Sequence, residues 1–322
     1  MPIYRVMECR VFGLLKRTAD AKSRIGLAFN RDQIALAVVT RVGNSAVLAR
    51  CEVLPVDPEG GAEAVSAAVR AADLPRVPVS AVLHAQDYQL ALVEAPDVPP
   101  AELRAAMRWR LKDAIDFRVE DAVIDVFDVP AQHRGGHGRM MYAVAARRKA
   151  VEGYAAALSS VAGFDVIDVP ELCLRNLAAA LPGAAGGIAL LHLGDTGVTM
   201  VLVRGSTFYF ARQMDFKATQ RVVADPDANA QPDTDGIVLE LQRSLDYYER
   251  HFDQPPITKI AVSPGGARAD ALAAALKRDT GFEVGALELN SMLTCAIPMA
   301  TEVQSACLMA VGAAMREERR SL

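Results

Sequence analysis

Four short stretches of this chain carry residue types and spacings suited to nucleotide chemistry. Where two glycine-bearing hairpins face each other across a cleft, their backbone N–H groups hold phosphates. A carboxylate on each hairpin strand then orients Mg²⁺-bound water. The run Leu191-His192-Leu193-Gly194-Asp195-Thr196-Gly197 is one such hairpin, with Gly194, Thr196 and Gly197 in the turn. His192 stands on the strand where the carboxylate is wanted, and strand alternation points the nearby Asp195 elsewhere. A plain β-turn explains Gly194 to Gly197 as readily as a phosphate loop does. The run from Ile25 to Gln33 is the other hairpin. Its Gly26 comes one strand position too early, Ala28 takes the carboxylate's place, and its turn has neither glycine nor hydroxyl. Val262-Ser263-Pro264-Gly265-Gly266-Ala267 follows a strand and opens a helix, so Gly265 and Gly266 allow an adenine ring or a phosphate close to the backbone. Glu240 and Arg243, one helical turn apart, have the reach for a ribose, and the same spacing suits an exposed ion pair.

Other chemistries find less support. His133 and His137 are separated by Gly135 and Gly136, so the rings share no helical face and no metal site is expected. There is no nucleophile-elbow sequence. The five cysteines (Cys9, Cys51, Cys173, Cys295, Cys307) form no C-x-x-C pair and read as small buried hydrophobes in a reducing compartment. Arg104, Arg108, Arg110 and Lys112 read first as a solvated helix face, and second as a dock for acidic lipid or a partner.

The scaffold that must position these residues has 322 residues and 34.5 kDa, which suits two domains or one bilobed body. Hydrophobic residues at 52% and charged residues at 23% exclude a disordered chain. A net charge of -4 leaves no basic field for nucleic acid. The N-terminus interrupts its apolar residues with Arg5, Glu8 and Arg10, so no signal peptide is expected. No stretch approaches the ~20 apolar residues of a membrane span. Val6 to Lys16 reads as a frayed basic leader or, less simply, as an amphipathic foot on a membrane surface.

Hydrophobic patterning predicts strands at Arg24–Phe29, Gln33–Thr40 and Ala46–Leu54, joined by tight turns into an antiparallel meander. A helix over 61–72 and strands at Val77–His84 and Tyr88–Glu94 follow. After Pro99-Pro100 comes a helix with Leu103, Met107, Leu111 and Ala114 on one face. Strands at Ala122–Val129 and Met140–Ala146, a helix over 148–162 and a strand at Phe164–Val169 complete a small α/β unit. The pattern then restarts with Ile188–Leu193, Val198–Arg204 and Thr207–Met214, and further α/β units run to a final helix over 302–316. Two meander-led lobes with a cleft between them fit this order better than a strictly alternating sheet.

Several stretches together resemble the PilM family of type IV pilus assembly proteins, especially its MshI-like members from mannose-sensitive haemagglutinin (MSHA) pilus systems. They are the leader Phe12-Gly13-Leu14-Leu15-Lys16-Arg17, the segment from Glu94 to Asp128, the run from Leu191 through Met214, the helix containing Glu240 and Arg243, and the Ile260–Ala267 turn. The resemblance implies an α/β, actin-like ATPase (ribonuclease H-like) bilobed fold with duplicated meander-led lobes and an inserted small subdomain like that of FtsA. It implies a basic leader over 1–23, a first lobe over 24–95 and 169–183, an insert over 96–168, a second lobe over 184–316 and a tail over 317–322. It implies a cytoplasmic protein, peripheral at the inner face of the inner membrane and able to self-associate. Its partner would be a PilN-like bitopic protein, whose N-terminal tail lies in a groove between first lobe and insert. The implied nucleotide contacts are Gly194, Asp195, Thr196, Gly197, Glu240, Arg243, Gly265 and Gly266, with no catalytic residue and no metal ligand. Because Ala28 and His192 replace the family's carboxylates, ATP binding is expected to be weak or lost and hydrolysis absent. The alternatives are an active ATPase using Asp195 or Asp215, or the cytoplasmic part of a type II secretion platform protein.

Overall fold

A computed structural model describes residues 22–317 except 31, 44, 133–137, 195–196, 216–234 and 296. The leader with its Val6–Lys16 segment, Cys9, His133, His137, Asp195 and Thr196 lie outside the described residues. In the first half, strands β1 (Lys22–Phe29), β2 (Gln33–Val42) and β3 (Ser45–Pro55) form the expected antiparallel meander. Strand β2 is apolar and β-branched, and it is buried from Ile34 through Thr40. Such a continuous run suits a strand covered on both faces. Helix α1 (Gly61–Ala71) leads to β4 (Val79–Val82), which pairs parallel with β1.

The second half repeats the plan. Strands β9 (Ile188–Leu193), β10 (Gly197–Arg204) and β11 (Thr207–Asp215) form another meander. Helix α5 (Asp235–Phe252) precedes β12 (Lys259–Ser263), which pairs parallel with β9. Helix α6 (Ala267–Asp279) and β13 (Glu283–Ala286) complete a five-stranded sheet of order β11-β10-β9-β12-β13.

Between the halves lie β5 (Tyr88–Glu94), α2 (Leu103–Leu111), β6 (Ala122–Asp128), β7 (Met140–Arg147), α3 (Arg148–Leu158), β8 (Phe164–Asp168) and α4 (Pro170–Ala179). The strand pairings correct two of the expected boundaries. Tyr88–Glu94 does not belong to the first lobe; it pairs antiparallel with β7 in a three-stranded sheet of order β5-β7-β6. Conversely, β8 is no part of the insert, because it pairs parallel with β4 at the edge of the first sheet. Helix α3 also packs with the first sheet, since Leu158 and Tyr154 pack among Ile25, Leu36 and Val79. Helix α2 covers one face of the three-stranded sheet, with Met107 and Leu111 fully buried on Ile124, Met141 and Ala143.

After the short helix α7 (Leu289–Met292), strand β14 (Thr294–Cys295) pairs with β3 and makes the first sheet six-stranded. Helix α8 (Thr301–Ala314) then lies on that sheet and against α4. Its fit depends on two glycines. A Cβ on Gly26 of β1 would stand 1.9 Å from the Ala310 carbonyl oxygen, and one on Gly312 would stand 2.6 Å from the Cys173 carbonyl oxygen. Helices α4 and α8 carry Leu174, Leu177, Leu308 and Val311 into one apolar cluster with Ala37 of β2 and Leu190 of β9, so the two large sheets share a core. At about 1.5–3 kcal/mol for each large apolar side chain buried, that shared core is a major part of what joins the halves. No helix among the described residues is long and apolar enough to cross a membrane.

Candidate functional site

A short turn joins β1 and β2, and its Arg31 lies outside the described residues. The Asn30 N–H donates to the Gln33 carbonyl at 2.9 Å, which closes a tight turn. Gly26 is explained by the approach of α8 rather than by a ligand. Ala28, in the carboxylate's expected place, packs with Val82, Cys173, Ala313 and Met309. Charge at that part-buried point would be partly desolvated.

In the second hairpin, the Gly194 N–H donates to the Gly197 carbonyl at 2.9 Å. His192 Nδ1 lies 3.2 Å from Ser263 Oγ, a side chain with no exposure. Packing strips water from the imidazole and pushes its pKa down to about 4, so the ring is neutral at physiological pH. Mg²⁺ prefers oxygen ligands in octahedral array, and neither Ala28 nor His192 supplies one. Among the described residues, Ala28 and His192 therefore do not fit the two carboxylate positions of a usual Mg²⁺-nucleotide centre.

Gly265 and Gly266 do form the turn into α6, with Gly266 at φ 120°. Helix α8 crowds it: Ser305 Oγ donates to the Gly265 carbonyl at 3.2 Å, and Thr301 Cγ2 stands 3.7 Å from where a Gly266 Cβ would be. On α5, Arg243 Nη1 donates to Glu240 Oε1 at 2.7 Å, and Arg212 of β11 donates to Glu240 Oε2. The Arg243 hydrogen bond and then Arg212 hold the Glu240 carboxyl below its usual range. Both carboxylate oxygens thus have guanidinium partners within the chain.

Among the described residues no group of three or more His, Cys, Asp or Glu side chains gathers to hold a metal. Cys173 and Cys307 are buried, and Cys51 and Cys295 are part-buried. The neighbouring Cys307 thiol, followed by burial, pushes the Cys51 thiol up, which suits unreactive packing groups.

A concavity stands where the resemblance implies one, between first lobe and insert, and residue patterning alone does not mark it. It is a groove of about 780 Å³ between β6, an edge of the three-stranded sheet, and β8, an edge of the first sheet. Phe127, Val144, Val166 and Leu172 make it apolar, and Ser206, Thr207 and Phe208 from the turn between β10 and β11 close one side. Asp125, Asp128 and Asp165 stand on its rim. Beside it, Arg316 Nη1 meets Asp168 Oδ2 at 2.7 Å, with the aspartate side chain only 2% exposed. Deeper still, Tyr88 Oη donates to Glu171 Oε2 at 2.6 Å. Burial raises the pKa of both groups.

The three-stranded sheet also grips the second sheet. Tyr142 Oη accepts from the Ala211 N–H at 2.9 Å and donates to the Ala211 carbonyl at 3.4 Å. Phe127 stacks on Tyr142, and Phe208 meets both rings edge-on. Gln132 Nε2 adds a bond of 2.9 Å to Tyr247 Oη.

No protein-family model and no curated protein matches the chain. Among solved structures, it is similar to a PilM–PilN type IV pilus biogenesis complex, with 21% identity over 91% of this chain and 97% of that one, at a TM-score of 0.64. A weaker likeness, at a TM-score of 0.45, is to the cytoplasmic domain of EpsL, an inner-membrane component of the Vibrio cholerae type II secretion system. That match has 13% identity over 93% of this chain and 97% of the other. A Bacteroides thetaiotaomicron protein with an actin-like ATPase fold matches at 7% identity, over 89% of this chain and 95% of its own, with a TM-score of 0.47. At these identities the likeness is one of fold, and the fold is a mixed α/β, actin-like ATPase fold.

Proposed function

We propose that this chain is a non-enzymatic assembly protein of a type IV pilus platform, of the MSHA type, at the inner face of the inner membrane. It holds the cytosolic tail of a PilN-like bitopic partner in the groove between β6 and β8. The observation that carries this reading is the contrast between two places. The expected Mg²⁺ site is apolar at Ala28 and neutral at His192, while the groove is wide, apolar and rimmed by aspartates. Supporting it, the chain matches the fold of a protein solved together with PilN.

An extended segment suits the groove because edge strands offer unpaired backbone groups, while the apolar floor takes alternate side chains. The rim aspartates Asp125, Asp128 and Asp165 are each paired with an arginine of the chain, so the apolar floor rather than rim charge would select the segment. ATP binds weakly or not at all, and it is not hydrolysed. Titration calorimetry tests both halves. A synthetic peptide of the neighbouring PilN-like protein's cytosolic tail binds with measurable heat, and Mg²⁺-ATP gives no turnover. Robust hydrolysis, or a peptide that fails to bind, would sink the proposal.

A further inference from the structure

Trp109 is the only tryptophan of the chain, and it is 80% exposed on α2. The buried side of this helix is already supplied by Met107 and Leu111, so the indole takes no part in the core. Exposed tryptophan is rare on an unpartnered surface, and buried tryptophan is a frequent centre of interfaces. On the same outward face lie Glu102, Ala105 and Lys112, all exposed. The flanking arginines are matched within the chain. Arg104 pairs with Asp125 at 3.2 Å, Arg110 approaches Glu94 at 3.6 Å, and Arg108 donates to the Val119 carbonyl at 3.0 Å. Glu102 and Lys112 have no ion pair among the described residues.

We infer that this face docks a second copy of the chain, helix α2 against helix α2, antiparallel about a two-fold axis. The pattern is self-complementary. With the axis at the level of Met107, Trp109 sits over the partner's Ala105, where a small side chain leaves room for the ring. Lys112 then faces the partner's Glu102. A two-fold contact makes each of these twice. Around them Arg104 and Arg110 are paired with carboxylates, while Arg108 is bonded to a carbonyl and keeps its charge. The opposite charges of Glu102 and Lys112, placed to meet across a two-fold axis, make a second copy the better occupant. A helix this short buries a modest area, so the association is weak and concentration-dependent. This inference goes beyond the proposed function; Trp109, Ala105, Glu102 and Lys112 line no part of the groove, which this face meets only through the Arg104–Asp125 pair.

The lone tryptophan makes the test direct. Sedimentation of the full chain over a concentration series reads a mass rising from 34.5 kDa towards twice that value. Over the same range the Trp109 emission shifts to shorter wavelength as the ring leaves water. Trp109→Ala stays monomeric throughout. Lys112→Glu weakens association about tenfold or more by placing like charges together. Adding Glu102→Lys to Lys112→Glu restores it, an outcome no structural role of either residue alone produces. A chain that stays monomeric, a dimer indifferent to Trp109→Ala, or a charge swap without rescue overturns the inference. So does an emission shift seen only with phosphatidylglycerol vesicles, which would assign the face to a bilayer. Peptide binding in Trp109→Ala stays at the parent level, so this inference and the groove reading fail separately.

Discussion

Arg316, just past α8, is tied to Asp168, at the end of β8, by a contact of 2.7 Å that leaves the carboxylate almost without exposure. The pair joins the chain's last helix to the strand that forms one lip of the groove. Removing one partner of a buried pair leaves a charge without compensation. Arg316→Ala is therefore expected to lower the unfolding free energy by about 3 kcal/mol. Asp168→Asn combined with Arg316→Met recovers much of that loss. Urea unfolding of the three proteins checks both statements, and a double variant no better than Arg316→Ala contradicts the assignment.

His192 sets an acid limit. Its folded pKa of about 4 lies below the ordinary value of 6.5, so below 6.5 the unfolded chain binds the proton more readily. The contribution is complete above pH 6.5 and is lost as pH falls through about 4. The full shift corresponds to roughly 3 kcal/mol, and the ring's partial exposure reduces it. His192→Gln flattens the stability profile between pH 6.5 and 4 relative to the parent, measured by thermal melts across that range.

Glu171 works in the opposite sense. Burial raises its folded pKa above 4.5, so its contribution is fully present below that value and is lost as pH rises through the folded pKa. Glu171→Gln keeps an acceptor for Tyr88 Oη and never ionises. Its stability relative to the parent improves as pH rises from 4 to 8. A difference that is flat with pH removes Glu171 as the titrating group.

Ala28→Asp places a carboxylate where a Mg²⁺-dependent ATPase would carry one, but among Val82, Cys173 and Met309. No turnover of Mg²⁺-ATP is expected, alone or with His192→Asp. A loss of stability on the order of 2 kcal/mol is expected for each. Hydrolysis by the parent chain that is lost on Asp195→Ala or Asp215→Ala would restore the ATPase alternative.

In the groove, Val123 of β6 is part-buried and faces Ala146 across the ladder. Val123→Glu inserts charge into the apolar floor. Tail-peptide affinity should fall more than tenfold with the melting temperature little changed, read by calorimetry and circular dichroism.

The sequence made the local geometry legible and hid the long-range partners. The β1–β2–β3 and β9–β10–β11 meanders could be read because their turns sit beside the strands they join. Tyr88–Glu94 read correctly as a strand, but nothing in it says that its ladder partner is Met140–Arg147 rather than β4. Gly26 looked like a misplaced phosphate glycine because its reason, the Ala310 carbonyl, comes from the far end of the chain. Ala28 and His192 stood out at once, since side-chain chemistry at a strand position needs no fold to be judged. Only the family resemblance pointed to the groove, because it lies between edges of different sheets, and periodicity identifies a strand without saying whether it is an edge.

The Tyr142 clasp on Ala211 has a mechanical consequence. The insert is anchored to the second sheet, not only to the first, and the turn at Ser206–Phe208 closes the groove from that side. Load applied to whatever lies in the groove is therefore distributed over three hydrogen-bonded sheets at once.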